Sequence, residues 1–164
     1  AVTTTNAMYV AYQTSGDDRT RRLAMLQNAA FLTMFREAMP GRGNVKSVTI
    51  DDLQPAMPEA TGAAALDEIF ANLGDTPDTA AAQVLGYLNN TQDARELIDA
   101  ARVLIFLKGT NAHDYKFSSA VLEDYYHVSP AWRDTFMASN VFMLRDSGRP
   151  DNNLVTRTRA ALGA

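Results

Sequence analysis

The stretch TPDTAAAQVLGYLNNTQDARELIDAARVLIFLK, residues 76–108, decides the fold class of this chain. Thr76 followed by Pro77 is typical of a helix start, because threonine can cap the first turn and proline fits the first helical position. Val84 and Leu88 then recur at the spacing of one helix face. The stretch therefore predicts a helix beginning at about residue 77.

A second helix is expected after a break at Asn89 and Asn90. Asp93, with Glu96 three residues later, matches a capping box, in which two side chains satisfy backbone N–H groups at the helix start. The apolar residues of this helix are Leu97, Ala101, Val103, Leu104, Ile105, Phe106 and Leu107. Because they lie on every side of its second half, that half is predicted to be buried almost all round, before the helix ends at Gly109.

Similar patterns predict helices on both sides of this pair. Residues 18–39 form the longest candidate, with Pro40 and Gly41 as its end. Its apolar residues include Leu23, Leu26, Ala30 and Met34, with Ala24, Phe31, Phe35 and Ala38 widening the stripe. Residues 61–74, 130–144 and 154–162 predict three more helices, and a fourth begins at Asn111 or Asp114 and extends to about His127. Residues 7–12 form a patch that suits either a helical turn or an edge strand.

The segment at about 40–60 is predicted to be irregular, with a brief extended piece at Val45, Val48 and Ile50 as the one alternative. Short connections between helices favour antiparallel neighbours. We therefore predict a single all-α domain over residues 1–164, built as an antiparallel helical bundle or a short stack of helical hairpins. At least two thirds of residues 61–162 should be helical, in five or six segments.

Composition narrows the function classes. A chain of 164 residues, 46% of them hydrophobic, is long enough to bury a core. The absence of cysteine excludes disulfides, thiolate catalysis and cysteine-ligated metal sites. A net charge of −4 argues against nucleic acid as a partner, and no apolar run is long enough for a membrane span. The sequence specifies no cofactor or oligomeric state, and it favours a cytoplasmic location over export.

One cluster carries candidate chemistry. Both histidines of the chain, His113 and His127, flank Glu123, and Glu123 and His127 are four residues apart, which places them on one face of a continuous helix. Two imidazoles and a carboxylate are ligands that suit Zn²⁺ or Fe²⁺, and the same groups can act as a general base steered by a carboxylate. Tyr115, Lys116 and Tyr126 are the candidates for stabilising developing charge.

The alternative interpretation of this cluster is structural. Glu and His at this spacing form an ordinary pair on a helix surface, and the tyrosines suit a helix–helix seam. A second candidate site is apolar: Trp132, Phe136, Met137, Phe142 and Met143 are expected on one helix that carries few charges. Methionines and aromatics suit a ligand groove or a partner surface, and they suit a core equally well.

Two functions follow from these residues. The favoured prediction is a non-catalytic helical module that binds a protein partner or a small apolar ligand, because no nucleophile, metal or phosphate motif is present while broad apolar helix faces are. The alternative is a metal-assisted or acid–base enzyme centred on His113, Glu123 and His127. A large exposed apolar patch would favour binding, and convergence of the two histidines on Glu123 would favour the enzyme.

Overall fold

The computed structural model describes residues 1–42 and 49–163, which belong to two compact units, Ala1–Thr49 and Ile50–Ala164. All regular structure in this part of the chain is helical, which confirms the all-α prediction and the helical bundle. The α-helices are α1 (Val2–Thr14), α2 (Asp18–Ala38), α3 (Ala63–Asp75), α4 (Pro77–Thr91), α5 (Arg95–Lys108), α6 (Ala112–Asp124), α7 (Arg133–Asn140) and α8 (Asn153–Leu162). That residues 1–164 form a single domain stays a prediction.

The first unit is a helical hairpin of α1 and α2. The patch at residues 7–12, which the sequence left between a helical turn and a strand, lies within α1. Asp17 begins α2 by accepting a hydrogen bond from the backbone N–H of Thr20 at 2.9 Å. The side chain of Arg21 donates to the carbonyl of Ser15 at 2.8 Å, and Thr5 of α1 donates to Asn28 of α2 at 3.1 Å. These bonds fix the turn and the pairing of the two helices.

The second unit has its core around α4, which packs against α3, against α7 and against the short 3-10 helix Val141–Met143. Its largest fully buried apolar side chains come from every helix from α3 to α7, together with that 3-10 helix: Ile69, Phe70, Val84, Leu88, Leu97, Ile98, Val121, Met137 and Val141. More than two thirds of residues 61–162 are helical, in the six helices α3 to α8, as predicted.

The irregular segment predicted at about 40–60 is confirmed for its described part, where Ile50–Asp52 is one turn of 3-10 helix and 53–60 have no regular structure. Val45 and Val48, of the alternative extended piece, lie outside the described residues. The backbone N–H of Ala56 donates to the carbonyl of Ala82 on α4 at 2.9 Å. The segment therefore crosses α4 in direct backbone contact.

Glu68 of α3 attaches the end of this segment. Its carboxylate accepts hydrogen bonds from the backbone N–H groups of Ala60 at 2.9 Å and Glu59 at 3.1 Å, and from the side chain of Gln83. The N–H donors of Ala60 and then Glu59 hold the pKa of Glu68 below its usual value of 4.5, because they favour the charged form.

The depressed pKa makes the second unit sensitive to acid. A carboxyl whose pKa is lower in the folded state than in the unfolded chain contributes stability that is complete above its unfolded pKa and is lost as pH falls through the folded one. We expect Glu68→Gln to be less stable than the wild type at pH 7 and the difference to shrink below about pH 4.5. Urea unfolding across this pH range measures it, and a difference independent of pH would contradict it.

Three details of the predicted helices are wrong. Asn89 and Asn90 do not break α4, which continues to Thr91 and ends where Gln92 adopts a left-handed backbone with φ of 54°. Glu96 forms no capping box; it accepts a hydrogen bond from Tyr87, while Asp93 caps the N–H of Arg95. The helix predicted over 130–144 ends at residue 140, and a 3-10 turn follows.

The second half of α5 is not buried all round. Phe106 is 70% exposed and Val103 is 56% exposed, whereas Ile105 is buried. The helix has packing partners on one side only, since no other described element covers the face that carries Phe106. Apolar residues on every side of a helix therefore did not imply neighbours on every side.

Candidate functional site

The six residues of the predicted acid–base or metal site all lie on the surface around α6. Tyr115, Lys116 and Glu123 lie within α6 and His113 at its start, while Tyr126 and His127 belong to the turn after it, and all six side chains are exposed. The hydroxyl of Tyr115 donates to the carbonyl of Gly109 at 3.1 Å, and the ring of Tyr126 meets that of Tyr125 edge-on, with centroids 5.3 Å apart. Both tyrosines thus have structural contacts.

The structure does not bring the two histidines together with Glu123. α6 ends at Asp124, and the N–H of His127 closes a turn onto the carbonyl of Asp124 at 2.9 Å. His113 and Glu123 are separated by about 15 Å along the helix axis, at 1.5 Å per residue, and they line different clefts. Among the described residues no three His, Asp or Glu side chains form a group that could hold a metal ion.

An ion pair that the sequence did not predict lies at the start of α6. Asp114 and Asn111 form a capping box, and the Asp114 carboxylate accepts from the N–H of Thr110 at 2.8 Å and from the N–H of Asn111 at 3.2 Å. The same carboxylate pairs with the guanidinium of Arg145, whose side chain is 15% exposed. The spacing of Asn111 and Asp114 was visible in the sequence, but their partner thirty-one residues later was not.

Desolvation by burial lowers the pKa of Arg145, and the nearby charge of Arg149 lowers it further, whereas Asp146 raises it. Asp146 in turn accepts from the side chain of Arg149 at 2.6 Å and from its backbone N–H at 3.0 Å. Each guanidinium therefore faces a carboxylate.

A cleft of about 150 Å³ opens beside these ion pairs. It combines His113, from the predicted catalytic set, with Phe142 and Met143, from the predicted apolar set. The other apolar candidates are dispersed: Met137 is completely buried in the core, Phe136 is half-buried, and Trp132 precedes α7 with 52% of its surface exposed. The cleft is lined by ion pairs and has an apolar rim. The guanidiniums of Arg145 and Arg149 are paired with the carboxylates of Asp114 and Asp146.

A second cleft, of about 400 Å³, lies between α5 and α6. Phe106 of α5 lines it together with Tyr115 and Glu123 of α6, and so do the buried residues Ile105 and Leu122. Its lining mixes two aromatic side chains with several polar groups.

Exposed apolar residues also line the hairpin of the first unit. No residue of 1–42 is buried. On α2, Ala24, Phe31 and Phe35 are half-buried, and Ala24 lines a groove together with α1 residues. The opposite side of α2 carries Leu23, Leu26, Ala30 and Met34, which we call the outer face of α2.

The outer face is strongly exposed. Leu23 is 55% exposed, Leu26 is 67% exposed and Met34 is 68% exposed, and Ala30 is exposed between them. Their spacing of three, four and four residues aligns them along three turns of helix. An open groove of about 560 Å³ borders this face, with Met8 of α1 on its other side. The sequence identified the apolar residues of α2 but not which of them would lack a neighbour.

No helix in the described part of the chain combines the length and hydropathy needed to cross a membrane. Comparisons with known protein families, with curated proteins and with solved structures find no match for this chain.

Proposed function

We propose that the chain is a non-catalytic helical module whose first unit binds a protein partner through the outer face of α2. One observation carries the proposal: a hairpin of two long helices has no buried residue among 1–42, although α2 exposes Leu23, Leu26 and Met34. Exposed apolar residues are common one at a time, whereas a row of them along one helix marks an interaction surface.

The energetics of the hairpin support a covered state. Isolated helices are marginal in water, and most helical stability in proteins comes from burial of an apolar face. Full burial of a leucine or methionine side chain contributes about 1.5 to 3 kcal/mol. Leu23, Leu26 and Met34 retain more than half of their surface in solvent, so most of this contribution is gained only when a partner covers them.

The other candidate functions have less support. A small apolar ligand needs a concave site that surrounds it, and the grooves along the hairpin are open. An acid–base or metal-assisted enzyme needs His113, Glu123 and His127 to converge, and ten residues of α6, about 15 Å of helix, separate His113 from Glu123. The predicted metal and catalytic roles of these residues stay predictions without a supporting geometry.

Hydrogen exchange on the full chain tests the proposal. We expect the backbone amides of α2 to be protected in the purified protein, because a protein surface covers the outer face, and we expect Leu26→Glu to lower that protection at least about tenfold. Leucine and glutamate have similar helix propensities, so loss of the covered face, and not of helix propensity, explains the effect.

The matched control is Leu154→Glu on α8, where the leucine is 74% exposed in the second unit. It makes the same chemical change on another helix and should leave exchange in α2 unchanged. Equal exchange in the wild type and in Leu26→Glu would show that the outer face is not covered, and the proposal would be wrong.

A further inference from the structure

A heptad register runs along the outer side of α2. Six residues follow one another at spacings of four, three, four, three and four: Arg19, Leu23, Leu26, Ala30, Thr33 and Glu37. At 100° per residue they lie within a band of about 80° on the helix. All six are exposed. This is the spacing of a helix that packs lengthwise against another helix.

The register is symmetric about position 28. Arg19 and Glu37 are each nine residues from this position, and Leu26 and Ala30 are each two residues from it. An identical helix that runs antiparallel, with a two-fold axis at position 28, therefore places Arg19 opposite the Glu37 of the second copy. The opposite charges meet at both ends of the contact, because a two-fold axis repeats every pair.

The apolar residues at the centre of the register are complementary in size, just as the residues at its ends are complementary in charge. The same axis sets Leu26 opposite Ala30 of the second copy, so a large side chain meets a small one twice. Such alternation lets two helices approach closely and interdigitate. Met34, at 68% exposure, flanks the contact and would be covered by it.

The geometry points to a second copy of this chain as the partner of the outer face of α2, bound antiparallel about a two-fold axis at position 28. The inference rests on the proposed function and names its partner. Charge order along the face carries it: a basic residue at one end and an acidic residue at the other complement the same face reversed. Two hairpins joined in this way form a four-helix bundle, in which both outer faces are buried.

Charge reversal tests the pairing on the full chain. We expect sedimentation equilibrium to show a dimer, and we expect Arg19→Glu and Glu37→Arg each to weaken it about tenfold, because each replaces two attractions by two repulsions. The double variant carries the pair in reversed order and should recover to within about threefold of the wild type. Arg36→Glu, on the same helix but off the register, is the matched control and should leave the dimer unchanged.

The outcomes separate this inference from the proposed function. A dimer that the double variant does not restore would overturn the antiparallel pairing. A chain that stays monomeric while Leu26→Glu still lowers the protection of its α2 amides would overturn the second copy as partner and leave a surface of the same chain on the outer face. A monomer whose α2 amides are unprotected would overturn both.

Discussion

Asp114→Ala should destabilise the second unit by about 3 kcal/mol, one of the two largest effects that we expect in this chain. Removal of the carboxylate leaves the guanidinium of Arg145, whose side chain is 15% exposed, without its opposite charge. The backbone N–H groups of Thr110 and Asn111 lose their acceptor at the same time. Chemical unfolding followed by the fluorescence of Trp132, the single tryptophan, measures the change.

Further variants separate the contribution of the ion pair to stability from the contribution of the helix cap. Asp114→Asn keeps an oxygen for the two N–H groups and removes the charge, so it should cost less than Asp114→Ala. Replacing both partners, as Asp114→Ala with Arg145→Met, should recover part of the loss, because no buried charge is left unpaired. A cost below about 1 kcal/mol for Asp114→Ala would mean that the ion pair does not stabilise the fold.

Gly86→Ala should destabilise the second unit by about 2 kcal/mol, although alanine is the better helix former. A Cβ at position 86 would lie 2.1 Å from the carbonyl oxygen of Ala56 and 2.7 Å from its carbon. Both atoms are backbone, so the segment would have to leave α4 and give up the hydrogen bond from Ala56 to Ala82. Urea unfolding of the variant measures the loss.

A glycine-to-alanine substitution in α3, at Gly74, is the control. A Cβ at Gly74 would meet only the side chain of Asp146, at 3.4 Å, so Gly74→Ala should change stability by less than about 1 kcal/mol. If Gly86→Ala instead stabilises the chain by the usual helix-propensity gain, the irregular segment does not rest on α4 in solution.

Local signals in the sequence predicted most of the helices. Pro77 starts α4 as expected, because the fixed φ of proline suits the first turn, whereas the hydroxyl of Thr76 donates back to the carbonyl of Asn72 and does not cap α4. The break expected at Asn89 and Asn90 was wrong, since asparagine only weakly disfavours a helix and the helix runs on until Gln92 ends it.

Long-range contacts could not be predicted in the same way. Nothing near Gly86 in the sequence indicates that Ala56 crosses it, and nothing near Asp114 indicates Arg145. The exposure of Phe106 and of Leu26 has the same origin: periodicity shows which residues can be buried, whereas the number of neighbouring helices determines which are. For the candidate catalytic cluster, spacing predicted a shared helix face but not proximity, because ten helical residues place His113 and Glu123 about 15 Å apart.

Oxidation of two methionines by hydrogen peroxide tests the central claim most directly. Met25 and Met34 of α2 are exposed to a similar extent, at 60% and 68%, but they lie on opposite sides of the helix, and only Met34 belongs to the outer face. If a protein surface covers that face, Met34 in the concentrated full chain should oxidise several-fold more slowly than Met25, as read by mass spectrometry, and Leu26→Glu should make the two rates equal. Equal rates in the wild-type chain would contradict the claim that the outer face of α2 is a docking surface.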